Sequence, residues 1–400
     1  MKEIQEQLIA GFPGSFDPFH DGHLSAVISF LEIHSKAILY IVIGVNEEKE
    51  DKSTFSTEEK VFLIERTIPV EYKDRVKVIP YSGIIANLFY EQNINMFVKG
   101  ARDSEDFKSE RWIAEVNSKL SGSLTTLIIP QTDPALLKVS SSNLKSFIDL
   151  GIDAKDFAPA LTREALQIRM KNQLIIGVTG GIASGKTTFA EDIQGLSEEN
   201  GGTEDMSIYH ISLDELGKVV YSNDPTPRFL AIRKQINREF GGKLLRENTS
   251  IDTHKLGNIA FSSKRKLDKL VGIVLDPILH LLRKRLDELG KGIFLIEGAN
   301  LIEGEMTHLV NENIVLVQVD KEIQKKRMAK RGLNKKQIER RFEFQFGNKE
   351  RTEEIIARQR EEFDRLFIKI DGSKETNTGE VYEKLQKEYK RRFKIIRENK

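Results

Sequence analysis

The chain has 400 residues, which is too long for one ordinary domain, and its 39% hydrophobic residues can supply a core to each of roughly two to three domains. Its formal net charge of +1 excludes a globally polybasic nucleic-acid binder, and the absence of cysteine excludes disulfide scaffolds, thiolate metal sites and cysteine nucleophiles. No apolar run has the length of a signal peptide or a membrane span, so we expect a cytoplasmic protein without membrane or nucleic-acid partners. The sequence leaves a homo-oligomer open.

The two halves of the chain carry opposite charge. Residues 1–170 contain 19 basic and 25 acidic side chains, so the basic excess lies in the remainder. Between the halves, Ala160–Gln173 has the pattern of a closing amphipathic helix, and Leu174 begins a fresh apolar run. We therefore predict two domains, residues 1–170 and residues 171–400.

The first half alternates short apolar runs with longer amphipathic ones. Buried strands are predicted at Leu8–Phe12, Ala37–Val45, Val76–Pro80, Met96–Val98 and Leu124–Ile129. Helices are predicted at His23–His34, Ser56–Thr67 and Phe107–Leu120. Ser56 and Glu59 have the spacing of a capping box at the start of the second helix.

The second half repeats this scheme, with strands predicted at Leu174–Thr179, Ser207–Ile211, Gly292–Ile296 and Ile314–Val319 and long polar helices between them. Strand–helix alternation is typical of parallel sheets covered on both faces, so we predict an α/β protein with two doubly wound parallel-sheet domains. Ligands of such sheets bind at the carboxyl ends of the strands, where the main motifs of both halves lie.

The segment Gly14–His23 follows the first strand and leads into a helix. Gly14 and Gly22 allow the backbone to approach a polyphosphate, and the N-terminus of the next helix offers free N–H groups. His20 and His23, three residues apart around a tight turn, can both face that pocket and stabilise negative charge as pyrophosphate leaves. A polar turn with two surface histidines is the alternative interpretation.

This segment resembles the T/H-x-G-H signature of the nucleotidyltransferase superfamily, and two later segments narrow the family. Lys99–Phe107 is similar to the R-G-L-R-x-x-x-D-F segment of bacterial phosphopantetheine adenylyltransferase, and Ser140–Ser142 is similar to the I-S-S-S segment of that family. The resemblance covers nearly all of residues 8–168 and implies a Rossmann-like nucleotidyltransferase domain. It implies that the phosphate of 4′-phosphopantetheine attacks the α-phosphorus of ATP, with Mg²⁺ assisting, to give dephospho-CoA and pyrophosphate.

The resemblance also implies roles for individual residues. His23 would stabilise the transition state, Arg102 would bind ATP phosphates, and Lys49 would bind the substrate phosphate. Lys52 is a rival for the last role, because the loop Glu47–Lys52 is two residues longer than usual. Lys99 stands where the family usually has arginine, and His20 where it commonly has threonine. The implied ATP and substrate contacts are Ser15, Phe16, His20, Lys99, Gly100, Glu110, Ser140, Ser141 and Ser142.

A complete G-x-x-x-x-G-K-[ST] motif opens the second half, between a predicted strand and a predicted helix. Its backbone N–H groups would wrap the phosphates of ATP, Lys186 would reach the β- and γ-phosphate oxygens, and Thr187 would hold Mg²⁺. The predicted phosphate-binding residues are Gly180, Gly181, Ile182, Ala183, Ser184, Gly185 and Thr187.

The segment Gly177–Thr187 resembles dephospho-CoA kinase, which implies a P-loop kinase domain. In that family a D-A-D segment follows the second strand; here Ser212 replaces its first aspartate, and Asp214 remains as the implied general base for the ribose 3′-hydroxyl. Asp276 stands where the family has the histidine of an H-P pair.

Later charged residues fit the same resemblance. Glu297 and Glu303 lie near the family's next strand and its acidic follow-on. A lid pattern, in which arginines close over the transferring phosphoryl group, is matched by Arg327, Arg331, Arg341 and Gln345. A solvated, highly charged helix is the alternative interpretation of these arginines.

Dephospho-CoA, the product of the first implied reaction, is the substrate of the second. The leading interpretation is therefore a bifunctional coenzyme A synthase that acts on small molecules, with ATP as co-substrate and Mg²⁺ as cofactor. One alternative is nicotinamide mononucleotide adenylyltransferase joined to a riboside kinase, which His20 would suit. Another is a nucleotide-binding regulator with an inactive kinase half, which Ser212 and Asp276 would suit.

Overall fold

The computed structural model describes residues 7–46, 52–121, 124–201, 206–343, 345–361, 365–373 and 378–397. The chain divides into two compact units. The first runs to Lys171 and includes the end of the last helix from Arg391, and the second comprises Asn172–Arg360 and Arg365–Lys390. None of the helices in the described ranges combines the length and the apolar character that crossing a membrane requires.

The first unit is built on a parallel sheet of five strands in the order β3-β2-β1-β4-β5. The strands are β1 (Ile9–Gly14), β2 (Ile38–Gly44), β3 (Val76–Tyr81), β4 (Met96–Ala101) and β5 (Thr125–Pro130). All five were predicted from apolar runs, with ends that differ by up to three residues. The strand order reverses direction between β1 and β4, which creates a crevice at their carboxyl ends.

Helices cover both faces of this sheet and explain why its strands are apolar throughout. They are α1 (Asp21–Ile33), α2 (Thr57–Thr67), α3 (Leu88–Glu91), α4 (Ser104–Ser121), α5 (Ser141–Asp149) and α6 (Ala160–Lys171). Leu39 and Ile41 pack into a core with Phe30 of α1, whereas Val42 packs on the other side with Phe97 and Leu88. Burial on both faces favours continuous apolar strands over alternating ones.

The predicted capping box of α2 is confirmed. The Ser56 hydroxyl accepts from the backbone N–H of Glu59, and the Glu59 carboxylate accepts from the backbone N–H of Ser56 at 2.6 Å. Both groups satisfy N–H donors that have no partner within the helix, so the chain enters α2 at a fixed residue.

The second unit contains another parallel sheet of five strands, in the order β10-β9-β6-β8-β7. The strands are β6 (Gln173–Gly180), β7 (Ile208–Ser212), β8 (Gly292–Glu297), β9 (Ile314–Gln318) and β10 (Phe367–Asp371). Four were predicted; β10 was missed. It pairs with β9 from Phe367 opposite Ile314 to Asp371 opposite Gln318. The prediction of two parallel-sheet α/β units is confirmed.

The helices of the second unit are more numerous and more highly charged. They are α7 (Lys186–Glu199), α8 (Leu213–Tyr221), α9 (Pro227–Glu239), α10 (Thr253–Ala260), α11 (Lys264–Leu289), α12 (Lys321–Lys330), α13 (Lys335–Glu343), α14 (Asn348–Glu361) and α15 (Thr378–Arg397), the last extending into the first unit. Helices α8 to α11 enclose a separate apolar cluster that includes Phe229, Ile236 and Leu270. Asp276 lies exposed within α11.

Candidate active sites

A cleft of about 340 Å³ lies at the carboxyl ends of the strands of the first sheet. Its walls come from the end of β1, the start of α1, the end of β4 and the segment before α5. Ten of the residues predicted for the first site line it: Ser15, Phe16, His20, His23, Lys99, Gly100, Arg102, Glu110, Ser140 and Ser141. Segments more than a hundred residues apart thus converge at the crevice between β1 and β4.

The two histidines of the first motif stack against each other at one end of α1. Their ring centroids are 3.7 Å apart, with an angle of 22° between the planes. The backbone N–H of His20 donates to Nδ1 of His23 at 3.3 Å. Because Nδ1 of a neutral His23 must accept this bond, its proton is on Nε2, which is then a hydrogen-bond donor.

Both imidazoles are neutral at physiological pH. Burial, followed by the charge of Arg102, lowers the pKa of His20 to about 4. Burial, followed by the charges of His20, Arg102 and Lys99, lowers the pKa of His23 well below 6.5. The fixed positive charge of the cleft therefore comes from Arg102 and Lys99, and the histidines add dipolar N–H groups.

Arg102 is held in a fixed orientation by a carboxylate and a carbonyl. Its Nε and Nη2 donate to the two oxygens of Asp106 at 2.6 and 3.1 Å, and its Nη1 donates to the carbonyl of Val139 at 3.1 Å. The hydrogen bond from Arg102 lowers the pKa of Asp106. Nearby, Nζ of Lys99 lies 3.4 Å from Oε2 of Glu110. Both cations of the cleft are thus paired with α4 carboxylates.

An aspartate within the first motif anchors the turn. The carboxylate of Asp17 accepts from the backbone N–H groups of Thr54 and Phe55 and from Nζ of Lys145, each at 3.0 Å. Burial raises its pKa, but the bonds from Thr54 and Lys145 outweigh this, so the pKa is lowered. Asp17 therefore ties the β1–α1 turn to the segment before α2 and to α5.

Phe16 and the serines of Ser140–Ser142 differ in how far they are buried. The Phe16 ring is buried 5.5 Å from Phe12 and 5.0 Å from His23, measured between centroids. Ser140 caps α5 by accepting from the backbone of Asn143, and Ser141 donates to the carbonyl of Pro18 at 3.0 Å. Ser142 is exposed and is absent from the cleft lining. Lys49 lies outside the described residues, and its rival Lys52 is exposed.

In the second unit, the predicted phosphate loop joins β6 to α7. Gly180 has φ of +149°, and a Cβ there would lie 2.1 Å from the carbonyl oxygen of Val317. Gly185 has φ of +103° at the N-terminus of α7, a backbone region that favours glycine. The Ser184 hydroxyl is buried without a hydrogen-bond partner, as expected of a loop shaped for a ligand.

Lys186, at the start of α7, and Asp214, in α8, influence each other electrostatically. Nζ of Lys186 is buried and donates to the carbonyl of Gly181 at 3.0 Å. Burial lowers the pKa of Lys186, although the charges of Glu297 and Asp214 oppose the shift. Burial and the charge of Glu297 raise the pKa of Asp214. A carboxylate with a raised pKa is a better proton acceptor, as a general base requires.

Thr187 donates from Oγ1 to Oε1 of Glu297 at 2.8 Å, and Oε2 of Glu297 lies 3.1 Å from Nε2 of His210. Glu297 is the last residue of β8 and is buried. Burial raises its pKa, but the bonds from His210 and Thr187 and the charge of Lys186 outweigh this, so the pKa is lowered. A hydroxyl and an ionised carboxylate therefore stand together beside the phosphate loop.

Arg327 contacts the phosphate loop through backbone carbonyls. Its guanidinium donates to the carbonyls of Ala183, Ser184 and Gly372 at 3.2, 3.1 and 2.8 Å. These three bonds use both Nη atoms, so Arg327 holds the loop in place. This geometry supports a positioning role for Arg327, and the catalytic role that the resemblance implied stays a prediction.

The other residues of the predicted lid pattern lie in different surroundings. Arg331 is exposed, and its charge acts on Lys186. The side-chain oxygen of Gln345 accepts from the backbone N–H of Ile182 in the phosphate loop at 3.0 Å. The guanidinium carbon of Arg341 lies 5.1 Å from the ring centroid of Phe261.

Comparison with known proteins matches each half separately. Residues 11–147 match the family described as cytidylyltransferase-like, and residues 174–357 match dephospho-CoA kinase. A phosphopantetheine adenylyltransferase of Porphyromonas gingivalis is 39% identical over 153 residues, which are 38% of this chain and 94% of that protein. One from Streptomyces coelicolor is 35% identical over 161 residues, 40% of this chain and 96% of that protein. The chain belongs to the phosphopantetheine adenylyltransferase family.

Membership of the phosphopantetheine adenylyltransferase family rests on the first half, and the second half is a dephospho-CoA kinase domain. The chain is therefore a bifunctional transferase and kinase that uses ATP. The two matches fall separately on the two units, so the resemblance stated from sequence is confirmed. The alternative of a nicotinamide mononucleotide enzyme joined to a riboside kinase is disfavoured, because the matches name another adenylyltransferase and another kinase.

Sequence reasoning missed three side chains that organise these sites. Asp106 orients Arg102, Asp17 anchors the first turn, and His210 contacts Glu297. The first two lie within segments that were singled out, where a carboxylate four residues from an arginine and an Asp-Pro turn were visible signals. His210 carried no signal, because a histidine in an apolar strand is more often a structural residue.

Proposed function

We propose that the chain catalyses the last two steps of coenzyme A biosynthesis, one in each unit. In the first, a phosphate oxygen of 4′-phosphopantetheine bonds to the α-phosphorus of ATP, and pyrophosphate leaves. In the second, the ribose 3′-oxygen of dephospho-CoA bonds to the γ-phosphorus of another ATP, and ADP leaves. The convergence of two histidines and two cations at one cleft, beside family membership, carries this proposal for the first unit.

In the first site, positioning and charge neutralisation would do the catalytic work, with no covalent intermediate. Arg102 and Lys99 would bind phosphate oxygens, and Nε2–H of His23 would donate to the charge that develops as pyrophosphate leaves. His20, Ser140 and Ser141 line the same cleft and would complete the nucleotide site. Lys49 stays the proposed contact for the substrate phosphate.

In the second site, the loop and its neighbours would divide the work. The N–H groups of Gly180–Gly185 would bind the phosphates, and Lys186 would exchange its bond to Gly181 for β- and γ-phosphate oxygens. Asp214 would accept the proton of the 3′-hydroxyl as it attacks. Arg331 would bind the phosphoryl group as it is transferred. Arg341 would remain a candidate residue of the lid that closes over that group.

A Mg²⁺ ion fits the second site. Mg²⁺ typically binds to one or two protein oxygens together with substrate phosphates, and Thr187 and Glu297 supply a hydroxyl and an ionised carboxylate at the loop. Among the described residues there is no group of three or more metal-binding side chains, so these two and the phosphates would hold it. The ion would neutralise charge on the phosphate oxygens.

The test is to incubate the full chain with ATP, Mg²⁺ and 4′-phosphopantetheine and to identify the products by mass spectrometry. We expect coenzyme A, pyrophosphate and ADP. A reaction without ATP and one with nicotinamide mononucleotide in place of phosphopantetheine serve as controls. If neither dephospho-CoA nor coenzyme A forms, the proposal is wrong; if dephospho-CoA accumulates alone, the second unit has another role.

A further inference from the structure

Glu297 has both of its carboxylate oxygens engaged by side chains from two different elements. Oε1 accepts from Thr187 in the first turn of α7 at 2.8 Å, and Oε2 lies 3.1 Å from Nε2 of His210 on β7. The side chains of His210 and Glu297 are 12% and 6% exposed, so little water competes for this contact. The orientation of the carboxylate is therefore fixed through both of its oxygens.

The register of the sheet places His210 where it can make this contact. His210 lies opposite Leu295 in the parallel pair of β7 and β8, and Glu297 is two residues beyond Leu295. Residues two apart along a strand share a face, so the His210 side chain emerges beside that of Glu297. Neighbouring Ser212 is opposite Glu297, but its hydroxyl accepts from Glu215 at the start of α8.

The position of His210 is itself fixed by α7. Strand β7 is at the edge of the sheet, where alternate backbone N–H groups have no partner strand. The N–H of His210 instead donates to Oε1 of Gln194 at 2.7 Å, and that of Ile208 donates to the Ser197 hydroxyl at 3.0 Å. The helix that carries Thr187 thus also holds the strand that carries His210.

This arrangement limits what Glu297 can do. An ionised carboxylate accepts hydrogen bonds only, so Nε2 of His210 donates to it, and a neutral imidazole with its proton on Nε2 suffices. Without that bond, the carboxylate could turn about its terminal torsion and move Oε1 away from Thr187. Groups that hold a metal ligand in orientation commonly affect metal binding without touching the metal.

We propose that His210 is a positioning residue of the phosphoryl-transfer site, orienting Glu297 so that its carboxylate and the Thr187 hydroxyl together receive the divalent cation of a bound nucleotide. This inference rests on the proposed ATP site of the second unit but not on the identity of the phosphoryl acceptor. It adds to that site a residue, His210, to which the sequence resemblance assigned no role.

The test compares two variants. His210→Leu removes the Nε2–H donor, whereas the side-chain amide of His210→Gln is long enough to donate to Glu297. Binding of Mn²⁺ is measured by electron paramagnetic resonance in the presence of a non-hydrolysable ATP analogue. Thr187→Ala, which removes a proposed ligand, measures the Mn²⁺ binding that arises outside the second site. His280→Leu makes the same substitution at an exposed position of α11 and is the matched control. We expect His210→Leu to weaken Mn²⁺ binding roughly 10-fold and His210→Gln to restore most of it.

Kinetics with dephospho-CoA provide the second measurement. His210→Leu should raise the Mg²⁺ concentration needed for half-maximal rate and leave the KM for dephospho-CoA unchanged. If His210→Leu does not fold, His210→Asn, whose amide is too short to reach Glu297, replaces it with the same expectation. Wild-type Mn²⁺ binding by the Leu or Asn variant, or equal weakening by Gln, would overturn the proposal. A third outcome would separate the two proposals. If His210→Leu weakens Mn²⁺ binding but the wild type does not phosphorylate dephospho-CoA, the role of His210 stands and only the proposed phosphoryl acceptor is refuted.

Discussion

The histidine pair of the first cleft is neutral because it is buried and, to a smaller extent, because cations lie beside it. Protonating His20 or His23 in the free protein would add a charge that is buried and close to Arg102. The negative charge of a bound polyphosphate would reverse the sign of that interaction and favour the protonated form. The cleft therefore combines fixed charges from Lys99 and Arg102 with imidazoles that respond to the ligand.

The first prediction concerns the protonation of these histidines. Histidine NMR should find both residues neutral at pH 7, with His20 titrating at about 4 and His23 titrating well below 6.5. The same histidines in urea, where they are exposed, should titrate near 6.5. A native-state transition of either residue near 6.5 would contradict the burial argument.

The same shift affects stability, and its sign follows from proton binding. Between pH 6.5 and 4 the unfolded chain binds a proton at His20 that the folded chain does not. This contribution to stability is therefore complete above pH 6.5 and is lost as the pH falls to 4. Urea unfolding of the first unit should show a decrease of about 3 kcal/mol from this residue, and His20→Gln should remove that part of the pH dependence.

The second prediction separates two arginines of the kinase domain. Arg327 donates to three backbone carbonyls, so Arg327→Ala should lower the stability of the second unit by about 2 kcal/mol and raise the KM for ATP. Arg331 is exposed, so Arg331→Ala should lower kcat while leaving thermal unfolding unchanged. Thermal melts and steady-state kinetics of both variants check this. Equal effects of the two changes on melting temperature would contradict the assigned roles.

At the scale of elements, apolar runs located nine of the ten strands because parallel strands buried on both faces are apolar throughout. The missed strand, β10, is only five residues long and contains Lys369 and Asp371. It follows the highly charged α14, so its neighbourhood looked helical. Its pairing with β9 is a contact across about fifty residues, which no local pattern contains.

The sites were predictable where motifs follow strands and unpredictable where side chains meet across elements. Gly14–His23 and Gly180–Thr187 each begin at the last residue of a strand, so the motifs and the apolar runs before them placed both sites at the carboxyl end of a sheet. The pairing of Thr187 with Glu297 joins residues 110 apart, and the bonds of Arg327 reach 143 and 144 residues back to the loop. Sequence therefore identified Arg327, but its contacts required the structure.

The third prediction concerns the phosphate loop and uses two glycines of neighbouring elements. Gly180→Ala forces a Cβ to 2.1 Å from the Val317 carbonyl at φ of +149°, so the loop must distort and the kinase reaction should be lost. Gly195→Ala in α7 meets nothing within 4 Å and should stabilise the helix by about 0.5–1 kcal/mol. Kinase assays and thermal melts check both. Retained kinase activity in Gly180→Ala would show that the loop geometry is not required.

At the scale of the whole molecule, the described residues of each candidate site lie within one unit. The residues lining the first cleft all precede Lys171, and Lys186, Thr187, Asp214 and Glu297 all follow it. Each candidate site also has its own loop at a helix N-terminus, where we propose phosphate binding, and its own cations. We therefore expect each proposed reaction to need no side chain from the other site, even though the product of the first proposed reaction is the substrate of the second.

The fourth prediction follows from this separation. His23→Ala should reduce dephospho-CoA formation roughly 100-fold or more, because a donor to developing charge is removed, while added dephospho-CoA is still phosphorylated at the wild-type rate. Lys186→Ala should do the converse, so that dephospho-CoA accumulates from phosphopantetheine. Mass spectrometry of both half-reactions measures this, and mixing the two variants should restore coenzyme A formation because dephospho-CoA can diffuse between chains. A folded variant that loses both reactions, or a mixture that makes no coenzyme A, would show that the two sites depend on each other.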